Sequence, residues 1–136
     1  MRRDIFEHYL FPTSLRNVED IPMFAYVLAN YEVAPITETL ARIHKHNDSL
    51  RHNTSYAKDI ALKLVDEVFD VQRLPGQFQQ LRKPYTAQRC LSLFRTFYLA
   101  GEHKLAKSYY RKAVSLAPAS LLKSSYLRKY IKSLFK

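Results

Sequence analysis

The chain has 136 residues, 47% apolar and 25% charged, with two glycines, six prolines and one cysteine. That balance supports a core that folds without staples, and it excludes a disordered chain, a disulfide scaffold and a loop-rich all-β protein. The net charge of +10 is unevenly placed: residues 1–70 hold eight Lys/Arg against eleven Asp/Glu, residues 71–136 hold fourteen against one, Glu102.

The start, Met1-Arg2-Arg3-Asp4, has basic residues but no apolar stretch behind them, so it reads as no secretory signal. No run approaches the ~20 apolar residues of a membrane span. Residues 17–31 read as a short helix. Asn17 or Glu19 opens it, Pro22 is tolerated in its first turn, and Met23, Phe24, Val27, Leu28 and Tyr31 recur at helical spacing. Residues 33–36 and 40–44 are predicted strands, separated by the polar Thr37-Glu38-Thr39. Each is too short to stand without neighbours in a sheet.

From residue 53 the pattern turns helical. Asn53 and Thr54 are good N-caps, and Ala57, Ile60, Ala61, Leu64, Val65, Val68 and Phe69 recur at three and four. Leu74-Pro75-Gly76 ends that helix. Pro84 opens the next, which runs through Cys90, Leu91, Phe94, Phe97 and Tyr98 to a Gly101 stop. Residues 103–116 form a third helix, closed by Pro118. Residues 120–135 form a fourth, with Leu122, Tyr126, Tyr130, Ile131, Leu134 and Phe135 on its apolar side. The expected fold is mainly α with a small α+β start: a mixed piece over 1–52, then an antiparallel bundle of about four helices over 53–136. Cys90 lies in an apolar run, where a buried inert thiol is expected rather than a nucleophile.

Glu19 and Asp20 stand together at the start of the first helix. Two acids there favour the helix dipole, which is by itself a sufficient reason for them. A carboxylate so placed can also take a proton from a reacting hydroxyl. The surroundings bear on the choice. Phe11-Pro12-Thr13-Ser14-Leu15-Arg16 leads into the pair; Tyr31-Glu32-Val33-Ala34-Pro35-Ile36 and Leu40-Ala41-Arg42 follow the helix; Ile43-His44-Lys45-His46-Asn47-Asp48-Ser49-Leu50 closes the segment. With Arg2-Arg3-Asp4-Ile5-Phe6-Glu7 upstream, this order over about fifty residues resembles the closing part of the catalytic domain of family 2 (GT-A type) inverting glycosyltransferases. Pro12 and Thr13 stand where that family more often has acids.

The resemblance implies transfer of a sugar from a nucleotide-sugar to the hydroxyl of a glycan or lipid-linked acceptor. It implies Asp20 as general base, Glu19 as its electrostatic neighbour, and His46 and Arg42 as donor-side contacts. For the intact family it also implies a divalent metal, Mg or Mn, held by an Asp-x-Asp motif. No Asp-x-Asp occurs in this chain, and with only Gly76 and Gly101 available no glycine-rich phosphate loop does either. The chain therefore reads as the acceptor-side, C-terminal part of such an enzyme, inactive alone and holding no metal by itself. Read without the resemblance, His44 and His46 are two surface histidines on an edge strand.

The helical half carries a second resemblance. In Ala100 to Pro118, Ala106, Tyr110, Ala113 and Pro118 stand at spacings similar to the second part of a tetratricopeptide repeat. One such unit is visible, and a binding superhelix needs at least ~3, so this part reads as a bundle first. The last helix mixes Lys123, Arg128, Lys129, Lys132 and Lys136 with aromatic and aliphatic residues. A basic amphipathic helix can lie on an anionic membrane surface; solvated lysines on a packed helix are the simpler reading. Nucleic acid is disfavoured, because no RNA- or DNA-binding motif is present. The expected setting is cytoplasmic, peripheral on the inner face of the membrane, and an unpaired strand edge invites a homodimer. The rival to the transferase reading is a non-catalytic basic helical module that binds a protein or a membrane surface.

Overall fold

The computed structural model describes residues 3–15, 17–42, 44 and 54–135. Among them are seven α-helices, three short 3-10 segments and no strand. Three small cores hold these elements together.

The chain opens with α1 (Ile5–His8), a 3-10 turn (Thr13–Leu15) and α2 (Asp20–Asn30). Of the two candidate openings of α2, Glu19 is the N-cap, and Asn17 instead sits in the left-handed region at φ 73°. Asparagine tolerates that conformation better than most side chains. Pro22 is the third helical residue, where no intrahelical donor is required. Ile5, Tyr9 and Met23 join α1 to one side of α2.

The two strands expected over 33–36 and 40–44 are not seen. Residues 32–42 and 44 belong to no helix or strand, and Val33, Ile36 and Leu40 are all more than half exposed. Runs of four or five residues pair stably only with a third strand or a covering layer, and none of the three cores reaches this segment. Ile43 and residues 45–53, including His46 and Asn53, lie outside the described residues, as do Arg2, Arg16 and Lys136.

The helix expected from residue 53 to the Leu74-Pro75-Gly76 stop is two helices, α3 (Thr54–Ile60) and α4 (Lys63–Val68). The break is at Ala61, whose φ of +32° departs from the helical range. Val65 then donates to the Leu62 carbonyl at 2.9 Å instead of reaching back to Ala61. The freed Ala61 carbonyl is taken by Arg89 Nε from α5 at 3.1 Å. Burial lowers the Arg89 pKa, and nearby Tyr85 and Tyr109 oppose that shift. A side chain 28 residues downstream thus caps this helix end. Leu15, Ile60, Leu64, Val65, Val68, Phe69 and Leu74 are buried together here, and α2 lays Ile21, Ala25 and Ala29 against them.

A 3-10 segment (Gly76–Leu81) leads into α5 (Arg82–Leu99), so Pro84 is the third residue of that helix and not its first. Gly101, at φ 79°, ends it. Its N–H donates to Tyr98 O at 3.2 Å, and the Glu102 N–H donates to Phe97 O at 2.9 Å. This is the paired closure of a Schellman motif, and it turns the chain back into α6 (His103–Leu116). The α5–α6 hairpin holds the main core: Cys90, Leu91, Leu93, Phe94 and Phe97 against Ala106, Tyr110 and Ala113, none more than 2% exposed. The two buried alanines let the helix axes approach closely.

The helix expected over 120–135 is a 3-10 turn (Pro118–Leu122) followed by α7 (Ser124–Leu134). Tyr126, Leu127 and Tyr130 of α7 pack on the hairpin, with the Tyr110 and Tyr130 rings stacked at 4.3 Å. The bundle after residue 53 therefore has five helices.

Candidate functional site

Asp20 is the first residue of α2 and is exposed. Glu19 beside it is half-buried, and its Oε2 is shielded from solvent without a hydrogen-bond partner among the described residues. The two carboxylates therefore occupy different environments one residue apart. Phe24 and Leu28 follow Asp20 at four and eight residues, on the same helical stripe, and are 52% and 65% exposed. Asp20 thus stands at the head of an uncovered apolar stripe.

Arg42 and His44 are exposed in the irregular segment after α2. Among the described residues, no ion pair or hydrogen bond joins either to Glu19 or Asp20. His46 lies outside the described residues. Among the described residues, no three His, Cys, Asp or Glu side chains gather in a way that could hold a metal ion.

Sequence reasoning missed a polar cluster between α1 and α4. Tyr9 donates to Glu67 Oε1 at 3.3 Å, Glu67 pairs with Arg73, and the Arg73 guanidinium lies 4.9 Å from the centre of the Tyr9 ring. Asp70 adds a longer contact to Arg73 at 3.6 Å, and Asn30 of α2 donates to Arg73 O at 3.1 Å. Burial, seconded by Glu67, pushes the Tyr9 phenol up to about 12. The pairing spans 58 residues, so no local spacing announces it. Cys90 is fully buried, and burial pushes its thiol up, as expected of an inert core cysteine.

The basic residues lie on the helical half. Eleven Lys/Arg occur from Lys83 to Lys132, and the single acid among them, Glu102, is paired with Lys58 of α3 at 2.7 Å. None of the eleven has an ion pair among the described residues. Lys123 donates to Gln88 Oε1 at 2.7 Å; Arg128 and Lys132 are exposed and Lys129 is half-buried. Lys136 lies outside the described residues.

No helix among the described residues is long and apolar enough to cross a membrane. Comparison of the chain with protein-family models, with curated proteins and with solved structures finds no match.

Proposed function

We propose that the chain forms the acceptor side of an inverting sugar transferase, with a helical tail that includes one tetratricopeptide-like helix pair. In the reaction, Asp20 accepts the proton of an acceptor hydroxyl as that oxygen bonds to the anomeric carbon of a nucleotide-sugar. The bond from that carbon to the diphosphate oxygen breaks, the nucleotide diphosphate leaves, and the anomeric centre inverts. Glu19 holds negative charge beside the base. The donor-binding region that this chemistry requires is not encoded in these 136 residues.

The observation that carries the reading is the place of Asp20: accessible, at a helix start, and at the head of an exposed stripe through Phe24 and Leu28. Uncovered apolar surface beside a functional carboxylate suits one wall of a cleft whose other wall comes from elsewhere. The ordered likeness from Arg2 to Leu50 supports the same assignment.

The test joins the chain to a nucleotide-binding half of the same family and follows release of nucleotide diphosphate. Asp20→Asn is expected to lower turnover by about 10²- to 10⁴-fold, the range for loss of a general base. Unchanged turnover removes Asp20 from the mechanism.

A further inference from the structure

We infer that α7 is a docking helix for an anionic lipid surface, with Ile131, Leu134 and Phe135 entering the bilayer interface and Arg128 and Lys132 meeting phosphate headgroups. The inference stands independently of the sugar-transfer reading.

A helix that only closes a bundle buries its apolar residues and leaves polar ones outside. In α7 the inward face is occupied by Tyr126, Leu127, Tyr130 and the fully buried Ser133. The outward face is nevertheless not polar. Ile131 is 47% exposed and Phe135, just past the helix end, 86%, while Leu134, at the end of the stripe that carries Leu127 and Tyr130, is still 49% exposed. Arg128, Ile131, Lys132 and the C-cap residue Phe135 stand at positions i, i+3, i+4 and i+7, so they line one continuous strip of the helix surface. Apolar groups alternate with cations along it. That pattern matches the boundary between acyl chains and headgroups, where aliphatic side chains insert and long basic side chains reach back to phosphate.

Charge selects the partner. No acidic residue lies on α7, and the one acid from Lys83 onward is committed to Lys58. Arg111 of α6 is also drawn to this helix, its Nε donating to the Tyr130 hydroxyl at 3.2 Å. An anionic surface would supply the counter-charge that the molecule lacks. A nucleic-acid strand offers the same charge but calls for exposed aromatic faces. Tyr126 and Tyr130, the tyrosines of α7, pack on the core, which leaves Phe135 as a single exposed ring beside aliphatic Ile131, and one ring is no platform for successive bases.

The experiment is flotation of the whole chain with vesicles of phosphatidylcholine containing ~30% phosphatidylglycerol, beside pure phosphatidylcholine vesicles, at ~50 mM and ~500 mM chloride. Binding is expected to the anionic vesicles at low salt, weakened at high salt and absent from the neutral ones. The double substitution Ile131→Ser with Phe135→Ser leaves charge untouched and is expected to weaken partitioning at least roughly tenfold. Arg128→Gln and Lys132→Gln are each expected to weaken it about fivefold. All four positions are exposed, and unchanged circular dichroism confirms that the variants fold. The inference is overturned by failure to bind anionic vesicles, by equal binding to neutral ones, or by undiminished binding of the serine double variant. It is equally overturned if a single-stranded oligonucleotide binds more tightly than the vesicles and is unaffected by the serine substitutions.

Discussion

Tyr9 is 3% exposed, and its hydroxyl reaches a carboxylate while a guanidinium covers its ring. Burial and Glu67 both disfavour the phenolate, so the folded-state pKa rises from the ordinary 10.0 to about 12. The unfolded chain therefore releases this proton first. The stability it contributes is complete below about pH 10 and is lost as pH rises from there to about 12. Urea unfolding at about pH 9 and about pH 11 should show the wild type losing more stability than Tyr9→Phe across that interval. Tyr85, Tyr109 and Tyr110 are also raised by burial but are common to both proteins, so the difference isolates Tyr9. Parallel losses in the two proteins would refute the assignment. Below pH 9 the Phe variant should be weaker by about 1 kcal/mol, the typical net worth of a hydrogen bond.

At the scale of elements, the α5–α6 turn rests on one backbone angle. Gly101 at φ +79° has open space where a Cβ would go, so Gly101→Ala meets no clash and its cost comes from the backbone alone. That cost is about 1–2 kcal/mol, a fall in melting temperature of roughly 3–6 °C for a domain of this size. Gly76→Ala is the control, since it has equal space and no positive φ, and it should change stability by less than about 0.5 kcal/mol. Equal effects at the two glycines would sink the explanation. The Gly101 stop was legible in the sequence because the signal is local, and so were both ends of α6, set by Gly101 and Pro118. The break at Ala61 was not. Its apolar spacing is that of one uninterrupted helix, and the group that satisfies the freed carbonyl arrives from Arg89 on another element. The segment after α2 failed in the opposite direction. Val33 and Ile36 carry strand propensity, but with no neighbouring strand among the described residues they are exposed and irregular. Asp20 was placed correctly at a helix start because acids and a proline mark first turns locally. The Tyr9–Glu67–Arg73 cluster escaped because only the folded chain brings residues 9 and 67 together.

Across the whole molecule, charge is segregated from its compensation. The ion pairs among the described residues use Asp66, Glu67, Asp70 and Glu102, so all their acids come from α4, the turn after it and the α5–α6 link. Lys104, Lys107 and Arg111 lie along one side of α6, and Arg128 and Lys132 along one side of α7, with no acid between them. Like charges at these steps are about 5–6 Å apart at Cβ and each pair destabilises a helix by ~0.2–0.5 kcal/mol at low salt. Folding gathers these cations more closely than the unfolded chain does, so self-repulsion should dominate the salt response. Raising chloride from ~10 mM to ~150 mM shortens the screening length from about 30 to about 8 Å and should raise the melting temperature by a few degrees. A molecule governed by its few ion pairs would instead melt lower as salt rises, and that result would refute the argument. Lys132→Glu sharpens the measurement: it turns a repulsive Arg128–Lys132 step into an attractive one. Because Lys132 lies in the last turn, where a cation also suits the helix dipole, the salt slope is the readout: the variant should show a smaller rise in melting temperature with salt than wild type. The same substitution should weaken capture by anionic vesicles, because the field that strains the folded bundle is the one that draws it to a negative surface.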